Sequence, residues 1–262
     1  MTIRHYGHGP RAALAVHCSL AHGGEWSALG QALGDLLTIT AFDLPGHGNA
    51  PDWVPGTDIG ALAEAAALAA LPEGQVDLIG HSFGGAVALR LALNHPDRVR
   101  RVVLFEPTLF AAAERDGPGG AAIAAAFLRD EAPVHAALQA GDKDEAARLF
   151  TARWGAGVPW HLLPELQRRY ISDRIHLIPA ANPALREDTG GILRPGRLES
   201  FDKPVLLMEG GASPPIVGAI CDALERRLPQ AKRVTVQGAG HMLPITHTMD
   251  VARSLRDFLS RE

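Results

Sequence analysis

Six short apolar runs, separated by stretches of helical length, constrain the fold of this 262-residue chain more than any other feature. The runs span residues 12–17, 37–43, 76–80, 99–106, 205–209 and 233–237. The first four are almost continuously apolar, which is typical of strands covered on both faces of a parallel sheet. Segments with helical spacing lie between the runs, at 26–36, 58–71, 83–94, 216–228 and 251–259. This βαβα order predicts an α/β fold with a doubly wound, mostly parallel sheet.

Residues 109–198 interrupt the alternation. They contain no convincing strand, but they offer short helical candidates at 120–130, 134–140 and 142–154, the last with Asp142 as its N-cap. Glycine and proline mark both ends of the segment, at 117–120 and 195–196. We predict a helical cap inserted over the carboxyl edge of a core formed by residues 1–108 and 199–262. An ordinary set of packing helices is the alternative.

Composition narrows the possible classes of function. The net charge is −4 and the charges are interspersed, so no basic stripe suggests nucleic-acid binding. No run approaches the roughly 18 apolar residues of a membrane span, and residues 1–11 lack a signal-peptide core. Cys18 and Cys221 form no CxxC motif, which favours free thiols and a cytoplasmic location; a disulfide between them is the alternative. The oligomeric state is not indicated.

A serine follows the third apolar run in a distinctive setting. Residues 80–84 read G-H-S-F-G, after a predicted strand and before a predicted helix. The G-x-S-x-G motif requires this strand–turn–helix context, in which a tight turn projects the Ser82 hydroxyl from the sheet edge. Gly80 and Gly84 keep Cβ atoms out of the crossing between strand and helix. We predict Ser82 as a nucleophile; a glycine-rich turn with an incidental serine is the alternative.

These residues resemble the α/β-hydrolase superfamily, in its lid-bearing esterase and C–C-hydrolase branch. The resemblance extends over nearly the whole chain outside the middle segment. Residues 43–48, D-L-P-G-H-G, look like the family's turn after the second paired strand. The first strand ends in His17, and Trp26 follows nine positions later, similar to the family's His-Gly and aromatic. Cys18 replaces the usual glycine.

The resemblance also implies an oxyanion hole, a pair of backbone N–H groups that bind the negative oxygen of the reaction intermediate. The Phe83 N–H, at the start of the helix, is the first donor that we expect. By register, the second is the N–H of Ser19. The His22–Gly23 dipeptide lies too far past the strand to take this role.

The general base is predicted in the loop after the last strand. Residues 238–244 read G-A-G-H-M-L-P, and His241 matches the position at which the family carries its histidine. A neutral imidazole there could take the serine proton and return it to the leaving group. The order serine, acid, histidine is the one expected for this fold.

The acid departs from the family pattern. Alignment of the strand at 205–209 places Ser213 where the family usually carries aspartate, and a hydroxyl cannot supply the negative charge that steadies imidazolium. Glu106 ends the run at 99–106, at the sheet edge where catalytic groups gather, and some haloalkane dehalogenases carry their acid after the equivalent strand. We predict Glu106 as the acid. Glu209 is the competing candidate.

Together these features predict a hydrolase that acts on an ester, thioester, lactone or activated C–C carbonyl through an acyl-enzyme. The substrate is expected to be a small, largely apolar molecule. Apolar residues of the middle segment suggest its pocket, although they could equally form the core of the cap: Phe110, Phe127, Phe150, Trp154, Trp160 and Leu162. Motifs for phosphate, dinucleotide and metal binding are absent, so neither a cofactor nor a metal is expected. A non-catalytic ligand-binding protein and a lyase with the same triad are the alternatives.

Overall fold

The computed structural model describes residues 2–116 and 119–260, and within them the chain forms one sheet of seven strands. The strands are β1 Ile3–Tyr6, β2 Arg11–Val16, β3 Leu37–Phe42, β4 Val76–His81, β5 Val99–Phe105, β6 Val205–Gly210 and β7 Ala231–Val236. Their order across the sheet is β1-β3-β2-β4-β5-β6-β7. Only the β1–β3 pairing is antiparallel. The predicted doubly wound, mostly parallel sheet is confirmed.

Strand β1 is the one strand that the sequence analysis missed. It has four residues, and its side chains alternate between exposed and half-buried positions. It pairs at the sheet edge, where Ile3 lies opposite Phe42. Such a short, exposed edge strand has no apolar run by which it could be recognised.

Eleven α-helices lie in the described residues, and four of them have seven residues or fewer. In chain order they are α1 Ser27–Ala32, α2 Ile59–Ala70, α3 Phe83–Asn94, α4 Phe110–Asp116, α5 Gly120–Gln139, α6 Lys143–Trp154, α7 Glu165–Arg174, α8 Leu177–Ala180, α9 Pro215–Arg227, α10 Leu243–Thr246 and α11 Thr248–Leu259. None of them is both long enough and apolar enough to cross a membrane.

The core consists of two apolar layers, one on each face of the sheet. Successive residues of β4 show the division, because Leu78 packs with α2, α3 and α9 while Ile79 packs with α1 and α11. Both side chains are fully buried. This is the reason why the central strands are apolar on both faces. Cys18 and Cys221 are buried free thiols.

Helices α4 to α8 lie between β5 and β6 in the chain. The helices expected at 120–130 and 134–140 are instead one continuous helix, α5, which contains Pro133. That expectation was wrong because a proline removes only one helical N–H donor, and the neighbouring turns can hold the helix together. The Asp142 carboxylate accepts the Glu145 N–H at 2.9 Å, so the predicted cap of α6 is confirmed. Residues 117 and 118 lie outside the described part of the chain.

These helices share a small apolar cluster of their own. Val134 of α5, Ala146 of α6 and Ile171 of α7 pack against Leu20, in the loop after β2. Helix α7 was not predicted, since few of its residues are buried and its apolar periodicity is weak. The contact with Leu20 places the helices beside the carboxyl edge of the sheet, where β2 and β4 end.

Candidate active site

The turn between β4 and α3 carries Ser82 in a strained conformation. Its φ is 57° and its ψ is −121°, a region that non-glycine residues rarely occupy. A Cβ on Gly80 would lie 2.4 Å from the Gly84 carbonyl oxygen, and one on Gly84 would lie 2.3 Å from the Val16 carbonyl oxygen. Strand and helix can cross this closely only because both residues are glycine. The Ser82 N–H donates to the Phe105 carbonyl at 2.9 Å, which ties the turn to β5.

The loop between β7 and α10 brings His241 to the same edge. Its Nδ1 lies 2.7 Å from Oε2 of Glu106, at the end of β5, and both side chains are buried. Since a carboxylate can only accept, Nδ1 carries the proton of this hydrogen bond. In the neutral ring Nε2 is then left unprotonated, as a general base requires.

The other oxygen of Glu106 is also held. Oε1 accepts the Gly210 N–H at 2.6 Å and the hydroxyl of Ser213. Ser213 is the residue that stands where the family usually has aspartate, and here it supports a carboxylate from another strand. Burial opposes the ionisation of Glu106, but the hydrogen bond and charge of His241, together with the hydrogen bonds from Ser213 and Gly210, lower its pKa.

Glu209, the competing candidate, faces away from His241. Its carboxylate pairs with Arg233 of β7 at 2.7 Å and accepts the hydroxyl of Thr235 at 2.9 Å. The structure thus brings Glu106 and His241 together and commits Glu209 to the neighbouring strand.

His241 is buried, and its environment favours the neutral ring. Burial lowers its pKa, the hydrogen bond to Glu106 raises it, and the charge of His81 lowers it; the net direction is downward. The ring of Trp154 meets the imidazole edge-on, with 4.5 Å between the ring centres. Ser82 and His241 line the same cavity. Within the described chain the Ser82 hydroxyl makes no hydrogen bond, which is common where a catalytic contact tightens on substrate binding.

The loop after β2 presents the amide that was predicted to complete the oxyanion hole. His17 anchors this loop, since its Nε2 accepts the Leu44 N–H at 2.9 Å. The N–H of Cys18 donates to Glu25 at 2.9 Å and is therefore occupied. Ser19 comes next and lines the cavity, as Ser82 does. The Phe83 N–H belongs to the first residue of α3, where the helix itself supplies no acceptor.

The cavity has a volume of about 660 Å³. Four of the six residues that were predicted for a pocket contribute to its wall: Phe110, Phe127, Phe150 and Trp154. Phe110 and Phe127 are stacked, with 5.0 Å between their ring centres. Trp160 instead packs with the cluster of α5 to α7, and Leu162 is 64% exposed. Aromatic side chains thus form part of the wall, and one of them, Trp154, lies against His241.

A second polar cluster lies beneath the Ser82 turn, and sequence reasoning missed it. Donor atoms of Cys18, Glu25 and His81 lie within 4.8 Å of one another. Hydrogen bonds already use both oxygens of Glu25 and both ring nitrogens of His81, so the cluster suits an ion pair better than a cation site. In the sequence His81 is marked only by its position before Ser82, and Glu25 only by its position before Trp26. Neither position predicts the contact between Glu25 and His81.

Comparison with known proteins identifies the family to which the chain belongs. The sequence model of the alpha/beta hydrolase fold family matches residues 14–248. A pimeloyl-[acyl-carrier protein] methyl ester esterase of Neisseria meningitidis is 33% identical over 257 residues, which cover 92% of this chain and 91% of that protein.

Two solved structures share the fold at low sequence identity. The carboxylesterase CesB of Bacillus subtilis is 19% identical with a TM-score of 0.68, and the match covers 98% of this chain and 87% of that one. The haloalkane dehalogenase DatA of Agrobacterium tumefaciens is 20% identical with a TM-score of 0.74, over 99% and 92% of the two chains. This chain therefore belongs to the alpha/beta hydrolase fold family and is a hydrolase.

Proposed function

We propose that this protein is a serine esterase in which Ser82 is the nucleophile, His241 the general base and Glu106 the acid that orients it. The hydrogen bond between His241 Nδ1 and Glu106, at a cavity that Ser82 also lines, is the observation that carries the proposal. The Ser213 hydroxyl donates to Glu106, which removes the main argument for a non-catalytic ligand-binding protein.

The reaction follows from these positions. The Ser82 oxygen attacks the ester carbonyl carbon as its proton passes to Nε2 of His241, and Glu106 stabilises the imidazolium. The N–H groups of Phe83 and Ser19 hold the negative oxygen, a contribution of about 3 kcal/mol per donor in measured cases. The imidazolium then protonates the departing alcohol, and an acyl-enzyme remains. Water repeats the sequence and releases the acid.

The cavity argues for an apolar acyl group. Aromatic side chains line the cavity together with Ser82 and His241, and so do the exposed apolar residues Leu166, Val158 and Ile245, of which Leu166 is 81% exposed. The volume of about 660 Å³ suits a medium-length chain. In this proposal residues 109–198 form the cap that roofs the site. The relative from Neisseria meningitidis acts by name on a methyl ester. Methyl esters of medium-length acids are therefore the substrates to test first.

A fluorophosphonate probe tests the proposal, because it reacts with activated serines. We expect stoichiometric labelling of the purified protein, located at Ser82 by peptide mass spectrometry, and hydrolysis of aryl and methyl esters with a preference for medium-length over acetyl chains. The Ser82→Ala variant should show neither. Labelling at another residue, or ester hydrolysis that survives in Ser82→Ala, would contradict the assignment.

A further inference from the structure

One buried carboxylate joins two of the loops that form the site. Glu25 lies in a short 3-10 helix, Gly23–Trp26, and its side chain is 1% exposed. Its Oε2 accepts the N–H of Cys18, next to the predicted oxyanion amide of Ser19, at 2.9 Å. Its Oε1 lies 2.5 Å from Nδ1 of His81, the residue before Ser82. The oxyanion loop and the nucleophile turn are thus connected through Glu25.

His81 extends the connection to the third loop. Its Nε2 donates to the carbonyl oxygen of His241 at 2.9 Å. One ring nitrogen of His81 faces a carboxylate and the other faces a carbonyl oxygen, and both of these groups only accept hydrogen bonds. Both nitrogens therefore carry protons, and His81 is a cation. The charge of Glu25 raises the pKa of His81 against the effect of burial, and the charge of His81 lowers that of Glu25. Both side chains are nearly inaccessible to water.

A buried ion pair contributes little to stability, because the desolvation of two charges offsets much of their attraction. This pair is placed where it affects the reaction. The rings of His81 and His241 are 4.9 Å apart between centres. The charged groups around His241 are Glu106 at the end of β5, Glu25 in the 3-10 helix and His81 at the end of β4, while Trp154 faces it from α6. Of these three charged groups only His81 is positive, so it alone opposes protonation of the His241 imidazole.

We propose that Glu25 and His81 are positioning residues, which hold the oxyanion loop, the nucleophile turn and the His241 loop in one arrangement and place a fixed positive charge beside the general base. This inference rests on the proposed function of Ser82 and His241. Glu25 lines the cavity, but the side chains of Glu25 and His81 are at most 1% exposed, so removal of the pair should lower kcat and leave KM nearly unchanged. Loss of His81 alone should also raise the pKa of His241, because the repulsion between two imidazolium rings is lost while the charge of Glu25 remains.

The test uses Glu25→Gln, His81→Gln and the double variant, in which two amides can still hydrogen-bond to each other if a single variant does not fold. The matched control is Asp77→Asn, which removes a buried carboxylate paired with Arg11 and Arg100 from the opposite end of β4. We expect kcat at least about 10-fold lower in the pair variants, with KM within about twofold. In His81→Gln the acid limb of kcat/KM should move up by about half a pH unit or more. Asp77→Asn should lose thermal stability only.

Titration of the His241 imidazole by NMR gives a readout that does not need turnover. An upward shift of its pKa in His81→Gln would support the positioning role. Suppose that the wild type hydrolyses esters, that the pair variants have the same kcat as the wild type, and that His241 has the same pKa in them as in Asp77→Asn. This inference is then overturned, and the proposed function stands. If the wild type neither reacts with fluorophosphonate nor hydrolyses esters, the proposed function fails, and the NMR titration still decides whether His81 acts on His241.

Discussion

Two residues of the site, Ser82 and Glu106, adopt left-handed backbone conformations, with φ of 57° and 44°. Each such residue costs about 1–3 kcal/mol and persists only where the surroundings hold it. Here hydrogen bonds to neighbouring strands stabilise both conformations. The Ser82 N–H donates to the Phe105 carbonyl and the Glu106 N–H to the Met208 carbonyl, both at 2.9 Å. At these positions the Glu106 carboxylate reaches His241, and Ser82 lines the same cavity as His241.

Substitution of the two competing glutamates separates their roles. Glu106→Gln leaves the shape of the side chain but removes the charge that stabilises the His241 imidazolium, so kcat for ester hydrolysis should fall at least about 100-fold. Glu209→Gln should keep kcat within about threefold and lower the melting temperature, because Arg233 loses its most buried partner and keeps only the exposed Asp222 and Glu225. Steady-state kinetics and thermal melts of both variants check this. The reverse pattern would transfer the acid role to Glu209.

The pH dependence of activity should report the enclosed histidine. The base works when His241 is unprotonated, so activity is present above its pKa and is lost as the pH falls through it. Burial lowers that pKa below the ordinary 6.5. The acid limb of kcat/KM should therefore lie below pH 6.5, and in Glu106→Gln the residual activity should extend to still lower pH, since Glu106 raises the pKa. A wild-type limb at or above 6.5 would show that His241 is not buried as described.

At the scale of elements, the start of α3 crosses the end of β2 with no room for a side chain between them. The position that shows this best is Gly84, where a Cβ would touch the carbonyl oxygens of both Val16 and His17. Those oxygens belong to the end of β2 and to the oxyanion loop that follows it. Packing of the nucleophile helix and placement of that loop are therefore coupled.

Gly84→Ala should lower the free energy of unfolding by about 1–3 kcal/mol or more, because rigid backbone would have to move. Activity should fall as well, since the loop with Ser19 would shift. Gly240→Ala is the control beside His241: an added Cβ there meets nothing within 4 Å, and the residue has no positive φ. It should change stability by less than about 0.5 kcal/mol. Denaturant unfolding of the two variants measures the difference, and equal stability would show that the crossing is looser than the structure indicates.

For the molecule as a whole, buried histidines link stability to pH. His47 is 1% exposed, its Nδ1 donates to the Pro45 carbonyl at 2.9 Å, and its Nε2 has no hydrogen-bond partner in the described part of the chain. Burial, followed by the charge of His17, lowers the pKa of His47 from 6.5 to about 3. The unfolded chain therefore binds a proton more readily than the folded one between these values, and stability is lost as the pH falls from 6.5 toward 3.

One such histidine contributes a slope of about 1.4 kcal/mol per pH unit within that window. We expect the free energy of unfolding to fall between pH 6.5 and 5, with burial of His17 adding to the loss. His47→Asn, which retains a donor for Pro45, should reduce the slope by about the contribution of one proton. Urea unfolding at several pH values measures it. An unchanged slope in the variant would assign the acid sensitivity to other groups.

Much of the fold and of the candidate site could be predicted from short stretches of the sequence. The six main strands and the Ser82 turn were predicted because a buried parallel strand and a strand–turn–helix are each encoded within about ten neighbouring residues. Glu106 could be proposed as an acid for the same reason, since it stands at the end of one apolar run. The family resemblance placed His241 in the loop after the last strand.

Only the tertiary structure decided which groups meet. Strand register brings Glu106 to His241, 135 residues away, and turns Glu209 toward Arg233, although both glutamates end apolar runs. The contacts of Glu25 with His81 and of β1 with β3 likewise join distant segments, and no local pattern marks them. Local propensity acts over a turn or a strand, whereas the distance between two side chains at a sheet edge depends on how every intervening strand is ordered and aligned.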